Sequence, residues 1–184
     1  MSLLLYHAGL GDDPAGPCCG ARPFLEQWAK DTGFDLQIVR WDEPRNGPLY
    51  QALLDRIRFG EALRVGGHSH GAWRARQELV GGALLIPSLT FFIDVCPWGN
   101  PFEELAAEAF PANALRGYAC WQSHVRPFMP NGVKFLPRDG ITLDDCTSWV
   151  APQVGHIAWH CPFTPDLASI AGDARVWTRI RSAA

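Results

Sequence analysis

Short apolar runs rich in β-forming residues alternate along the chain with segments in which apolar side chains recur every three to four positions. The runs at 3–7 (LLLYH), 36–41 (LQIVRW), 63–66 (LRVG), 89–95 (LTFFIDV) and 117–121 (GYACW) predict strands, and the segments 22–30, 48–59, 71–80 and 101–110 predict helices between and after them. The last of these helices opens at Pro101 with Glu103 and Glu104 in its first turn, where carboxylates complement the exposed amides. Each predicted strand is nearly all apolar, as a strand covered on both faces must be. The alternation therefore predicts a three-layer α/β/α sandwich around a mostly parallel central sheet. Beyond Trp121 the pattern weakens. Residues 122–155 hold Pro127, Pro130, Pro137 and Pro152, with only 133–136 reading as a strand, and 166–180 reads as a closing helix.

With 184 residues, 47% of them hydrophobic, the chain is long enough for one substantial core, and residues 1–184 are expected to form a single domain. The formal net charge of -3 and the scattered Arg40, Arg45, Arg56, Arg58 and Arg64 give no basic face or run. That argues against a nucleic-acid partner and for a small neutral or apolar one. The opening MSLLLYHAGL has neither a basic segment nor a cleavage site, and no stretch approaches the roughly 18 apolar residues of a membrane span, so a soluble cytoplasmic protein is expected. Six cysteines without regular spacing are expected as buried thiols rather than a disulfide framework.

In open parallel sheets, chemistry gathers at the carboxyl ends of strands, where helix N-termini aim their amides. His7-Ala8-Gly9-Leu10-Gly11-Asp12 follows the first predicted strand, Gly67-His68-Ser69-His70-Gly71 the third, and Asp94-Val95-Cys96-Pro97 the fourth. Gly67-x-Ser69-x-Gly71 has the spacing of a sharp strand-to-helix turn that pushes a serine oxygen over the sheet edge, its glycines allowing a crowding that side chains would block. A serine that merely caps the following helix is the plainer alternative. A nucleophilic serine needs a base, and the base needs a carboxylate to hold its tautomer. Both follow in order: Asp94 ends an otherwise apolar run, where a carboxylate without a partner is costly, and His156 lies in Gln153-Val154-Gly155-His156-Ile157.

Taken together, HAGLG after the first strand, GHSHG, Asp94 at a strand end and GHI ahead of the last helix resemble the α/β-hydrolase superfamily, specifically its small lipase- and esterase-like members without a large lid. The resemblance covers most of the chain. It implies a minimal α/β-hydrolase fold and a serine hydrolase that cleaves a carboxylic ester or a thioester through an acyl-enzyme, with no cofactor and no metal. Ser69 would be the nucleophile, His156 the base and Asp94 the acid, with the amides of His70 and of either Gly9 or Leu10 as the oxyanion hole. Two departures keep alternatives open. In much of the family the acid follows the next strand, where Gln122-Ser123-His124 offers no carboxylate, so Asp139, Asp144 and Asp145 stand behind Asp94. Ala8 replaces the usual glycine after His7, which leaves two alignments of the oxyanion loop.

The rings of His68 and His70 flank Ser69 on a turn that points them away from its oxygen, and His7 is expected to hydrogen-bond beneath the oxyanion loop. His156, His160, Cys161, Cys18 and Cys19 lack the spacing of a metal set, because the two cysteines are adjacent and Pro162 argues against His156 and His160 sharing a helix face. Trp98, Trp121, Trp149 and Trp159 fall near predicted strand ends or the His156 loop. They either fill the core or form an acyl-binding wall, with Trp98, Trp121 and Trp159 the pocket candidates for a small ester or acyl substrate. A catalytically silent relative that binds a ligand or partner in the same cleft is the competing function. A Rossmann- or flavodoxin-like reading lacks the G-x-G-x-x-G spacing.

Overall fold

The computed structural model describes residues 2–9, 15–16, 18–58, 62–81, 86–96, 107–122, 133–150 and 169–184. Six strands form one sheet: β1 (Ser2–Ala8), β2 (Phe34–Arg40), β3 (Ala62–His68), β4 (Leu89–Ile93), β5 (Gly117–Trp121) and β6 (Ile141–Asp145). Their order is β2-β1-β3-β4-β5-β6, and every adjacent pair is parallel. Among the described residues four α-helices accompany them: α1 (Arg22–Thr32), α2 (Pro48–Arg58), α3 (Ser69–Val80) and α4 (Ala174–Ser182). The chain is thus an α/β protein, and β1, buried from Leu3 to Ala8, lies inside the sheet between β2 and β3.

Period-two side-chain direction divides each apolar strand between two cores. Leu4, Tyr6, Phe91, Ile93, Tyr118 and Cys120 meet Leu25 and Trp28 of α1 and Val176, Trp177 and Ile180 of α4. Leu3, Leu5, Leu63, Val65, Phe92 and Ala119 face the other way, onto Tyr50, Leu53 and Ile57 of α2 and Ala72, Ala75 and Leu79 of α3. The first core is aromatic: Trp177 lies 5.8 Å from Phe91 and 6.5 Å from Trp28, ring centre to ring centre, and its indole N–H donates to the Ala171 carbonyl at 2.8 Å. Cys120 and Cys146 are buried free thiols within it.

The first strands and helices run close to their predicted bounds, and the second half of the chain departs from them. The helix expected over 101–110 does not extend through its described end. Glu108 instead bridges Phe135 in parallel, its amide donating to the Lys134 carbonyl at 2.9 Å and its own carbonyl accepting from Leu136 at 2.8 Å. The strand expected at 133–136 reduces to that bridge. β6 was not expected at all. It is an edge strand, half-exposed, and carries Asp144 and Asp145, so it lacks the apolar run that marks the others and is held by its pairing with β5. The closing helix begins at Ala174, capped by the Asp173 side chain, after a single 3-10 turn at Ile170–Gly172. Among the described residues no helix is long and apolar enough to cross a membrane.

Candidate functional site

β3 runs into α3 with no loop between them, and the reversal falls on Ser69, whose φ of 57° lies in the left-handed region that a side chain makes costly. Such a conformation persists only where the surroundings dictate it. Here the first turn of α3 is pressed onto the carboxyl end of β1. A Cβ at Gly71 would lie 2.5 Å from the Ala8 carbonyl oxygen and closer still to that of His7, and one at Gly67 would lie 2.7 Å from the His7 oxygen and 2.8 Å from the Ala72 nitrogen. Both glycines are therefore required by contact. Ser69 itself is 5% exposed, and its carbonyl accepts from the Cys96 amide at 3.2 Å, which ties the turn to the end of β4.

The strand register aligns the candidate residues. Val39, His7, Gly67, Phe92 and Ala119 form one rank across the sheet. One residue past the ends of β2, β1, β3 and β4 come Trp41, Gly9, Ser69 and Asp94, and β5 itself ends at Trp121, paired with Asp145; these strand-end residues make up the site rank. Gly9, Ser69, Asp94 and Trp121, each singled out from the sequence, thus share one line at the carboxyl edge of the sheet. Leu10, His156, Trp98 and Trp159 lie outside the described residues. His156 belongs to the segment that joins β6 to α4.

Asp94 is fully buried and is the second strand-end residue with a positive φ, 46°. Its two carboxylate oxygens accept from the backbone amide and the side-chain amide of Gln122, both at 3.3 Å. The other acids have different settings. Asp139 is exposed in the turn ahead of β6, at the opposite edge of the sheet from Ser69. Asp144 is bound by Tyr118 Oη at 2.9 Å, Trp149 Nε1 at 3.1 Å and Arg179 Nε at 2.8 Å. Asp145 caps the short turn after β6 through the Thr147 amide at 3.0 Å. Gln122 was not anticipated. Its position next to a carboxylate-free strand end was visible in the sequence, but its partner is 28 residues away.

The histidines divide by environment. The His70 Nδ1 lies 2.9 Å from the Cys96 carbonyl, so this nitrogen donates, and burial outweighs that bond and lowers the ring's pKa. The ring thus fastens the first turn of α3 to the chain after β4. His68 is buried at the end of β3. His7 is fully buried, and contrary to expectation neither ring nitrogen has a hydrogen-bond partner among the described residues. Burial first, and the Arg74 charge second, push its pKa down to about 3.

The described tryptophans serve mainly as packing. Trp28 and Trp177 fill the α1/α4 core. Trp149 lies under the Arg179 and Arg175 guanidinium groups, 4.2 and 5.2 Å from its ring, and bonds Asp144, which makes it a part of the β6–α4 contact rather than an acyl wall. Trp121 is half-buried on the site rank. Trp41, which the sequence alone does not single out, meets the His70 ring edge to face with centroids 4.7 Å apart. The rule that chemistry gathers at strand carboxyl ends would have found it directly after β2. A cavity of about 360 Å³ between β6 and α4, lined by Tyr118, Thr142, Asp144 and Arg179 among others, lies away from this rank.

Two outcomes follow from the strain and the buried histidine. Ser69→Gly relieves the left-handed conformation and unfolds at higher denaturant than Ser69→Ala, by about 1 kcal/mol in the difference. Equal midpoints would show that the turn is unstrained. Because the folded pKa of His7 is depressed, its neutral form contributes stability above pH 6.5 that is lost as pH falls toward about 3. Chemical denaturation across that window has a slope close to one proton steeper in wild type than in His7→Leu.

Comparison with protein-family models, with curated proteins and with solved structures finds no match for this chain.

Proposed function

We propose that the protein is a serine hydrolase with a minimal α/β-hydrolase fold, acting on a carboxylic ester or thioester. One observation carries this reading. Ser69 sits in a left-handed conformation at a loop-free strand-to-helix turn, between two glycines that admit no side chain. Such strain has no use in a helix cap, which needs only an extended backbone before the first turn. The strand order supports the reading as well, with the serine after β3, a buried acid after β4 on the adjacent strand, and His156 between β6 and α4.

In the proposed reaction, Ser69 Oγ attacks the substrate carbonyl carbon while His156 accepts the hydroxyl proton. The tetrahedral oxyanion forms against the amide of His70, at the N-terminus of α3, and that of Gly9 or Leu10. Collapse breaks the bond to the alcohol or thiol, which takes the proton from His156 and leaves Ser69 acylated. Water, deprotonated by His156, then releases the acid and restores the serine. Asp94 holds the His156 tautomer, and Gln122 holds Asp94. The His70 bond to the Cys96 carbonyl serves the same end by fixing the turn that presents the amide.

Steady-state hydrolysis of p-nitrophenyl esters tests the assignment. Ser69→Ala and His156→Ala are expected to lower kcat by at least about 10³-fold, and Asp94→Asn by about 10³- to 10⁴-fold. Turnover unchanged in Ser69→Ala contradicts the reading. Turnover unchanged in Asp94→Asn alone moves the acid elsewhere. A wild type with no turnover favours a silent protein that binds in the same cleft.

A further inference from the structure

Trp41 directly follows β2, as Gly9, Ser69 and Asp94 directly follow β1, β3 and β4, and its indole meets the His70 ring edge to face, with centroids 4.7 Å apart and planes at 80°. His70 directly follows Ser69. The turn that carries Trp41, residues 41–47, is held along its length. Arg40 grips Asp42 through Nε and Nη2 at 2.8 and 2.9 Å, the Gly47 amide donates to the Pro44 carbonyl at 2.9 Å, and Gln51 Nε2 donates to the Arg45 carbonyl at 2.6 Å.

α3 holds the same turn from below. Arg74 Nη2 donates to the Glu43 carbonyl at 3.1 Å. Glu78 has no exposed side-chain surface, and its Oε1 lies 2.6 Å from both Arg45 Nε and Arg74 Nε. Burying a carboxylate this completely is costly unless partners compensate it, and two guanidinium groups lie against this one. One of these cations comes from the turn and the other from the helix that begins at Ser69, so the ion cluster sets the turn in register with α3. Trp41 is thereby fixed relative to Ser69 by groups on both elements. The cations nearest the turn, Arg45 and Arg74, lie against the buried Glu78 carboxylate, and the charged residues at the strand ends are Asp94 and Asp145, so an anionic acyl group is disfavoured there.

Resting on the reading of Ser69 as nucleophile, we propose that Trp41 is a specificity-determining wall of the acyl site that takes an uncharged, apolar acyl chain beside Ser69, and that Arg45 and Glu78 are positioning residues that hold it there. Each methylene seated against the indole is worth roughly 3- to 4-fold in kcat/KM. Trp41 acts by contact with the substrate, whereas Arg45 and Glu78 act only through the turn.

The test compares p-nitrophenyl acetate with p-nitrophenyl octanoate in wild type, Trp41→Ala, Trp41→Phe, Arg45→Gln, and the Trp41→Ala/Arg45→Gln double variant. Wild type is expected to prefer octanoate, and Trp41→Ala to lower octanoate kcat/KM at least about tenfold more than acetate, chiefly through KM. Trp41→Phe retains most of the preference, and Arg45→Gln loses part of it, again in KM. The double variant loses no more than Trp41→Ala, because Arg45 works through Trp41. Should Trp41→Ala fail to fold, Trp41→Phe and Arg45→Gln carry the comparison. Ser69-dependent turnover in which these variants lower both substrates by the same factor, or a wild type without preference for octanoate, overturns this inference and leaves the hydrolase reading intact. Absence of any turnover that requires Ser69 overturns both.

Discussion

The close approach of α3 to the end of β1 governs the geometry of this protein. Gly71 and Gly67 bring the helix start against the His7 and Ala8 carbonyls at distances no side chain permits, and the serine between them takes the left-handed conformation that results. That conformation costs of the order of 1–2 kcal/mol, which the surrounding structure must outweigh. What over-determines it is the packing of α3: Ala72, Ala75 and Leu79 are buried against the sheet, and Arg74 and Glu78 bind the turn after β2. The helix cannot move away from β1 without losing both contacts.

From this constraint the rest of the edge is placed. The parallel register ends β2, β1, β3, β4 and β5 along one edge, which brings Trp41, Gly9, Asp94 and Trp121 to the same edge as Ser69. The Cys96 amide on the Ser69 carbonyl and the His70 ring on the Cys96 carbonyl join the ends of β3 and β4. Gln122 joins β4 to β5 through Asp94. Three neighbouring strands therefore end in one hydrogen-bonded line with a buried carboxylate in it. His7, buried beneath that line with no hydrogen-bond partner among the described residues, is kept neutral by its surroundings, so it adds no charge under a site where charge would develop during acyl transfer.

The fold was legible where burial is complete. β1, β3 and β4 are buried on both faces and read as apolar runs, and the Gly-x-Ser-x-Gly turn follows from local sequence because the crowding that requires its glycines is local to one turn. β6 was not legible, since an edge strand with two aspartates is stabilised by its neighbour rather than by its own composition. The extended course around Glu108 was hidden for a similar reason: local helix preference yields there to backbone pairing with Lys134 and Leu136 and to an ion pair with Arg76 at 2.7 Å. Asp94 could be named because a carboxylate in an apolar run is conspicuous, while Gln122 and the Arg45–Glu78 pair, at separations of 28 and 33 residues, are products of the fold.

Whether Ser69 is a covalent nucleophile is measured directly by peptide mapping after reaction with a fluorophosphonate. The expected result is a single phosphonyl adduct on the tryptic peptide of residues 65–74, VGGHSHGAWR, lost in Ser69→Ala. An unmodified protein, or an adduct on another peptide that persists in Ser69→Ala, would contradict it.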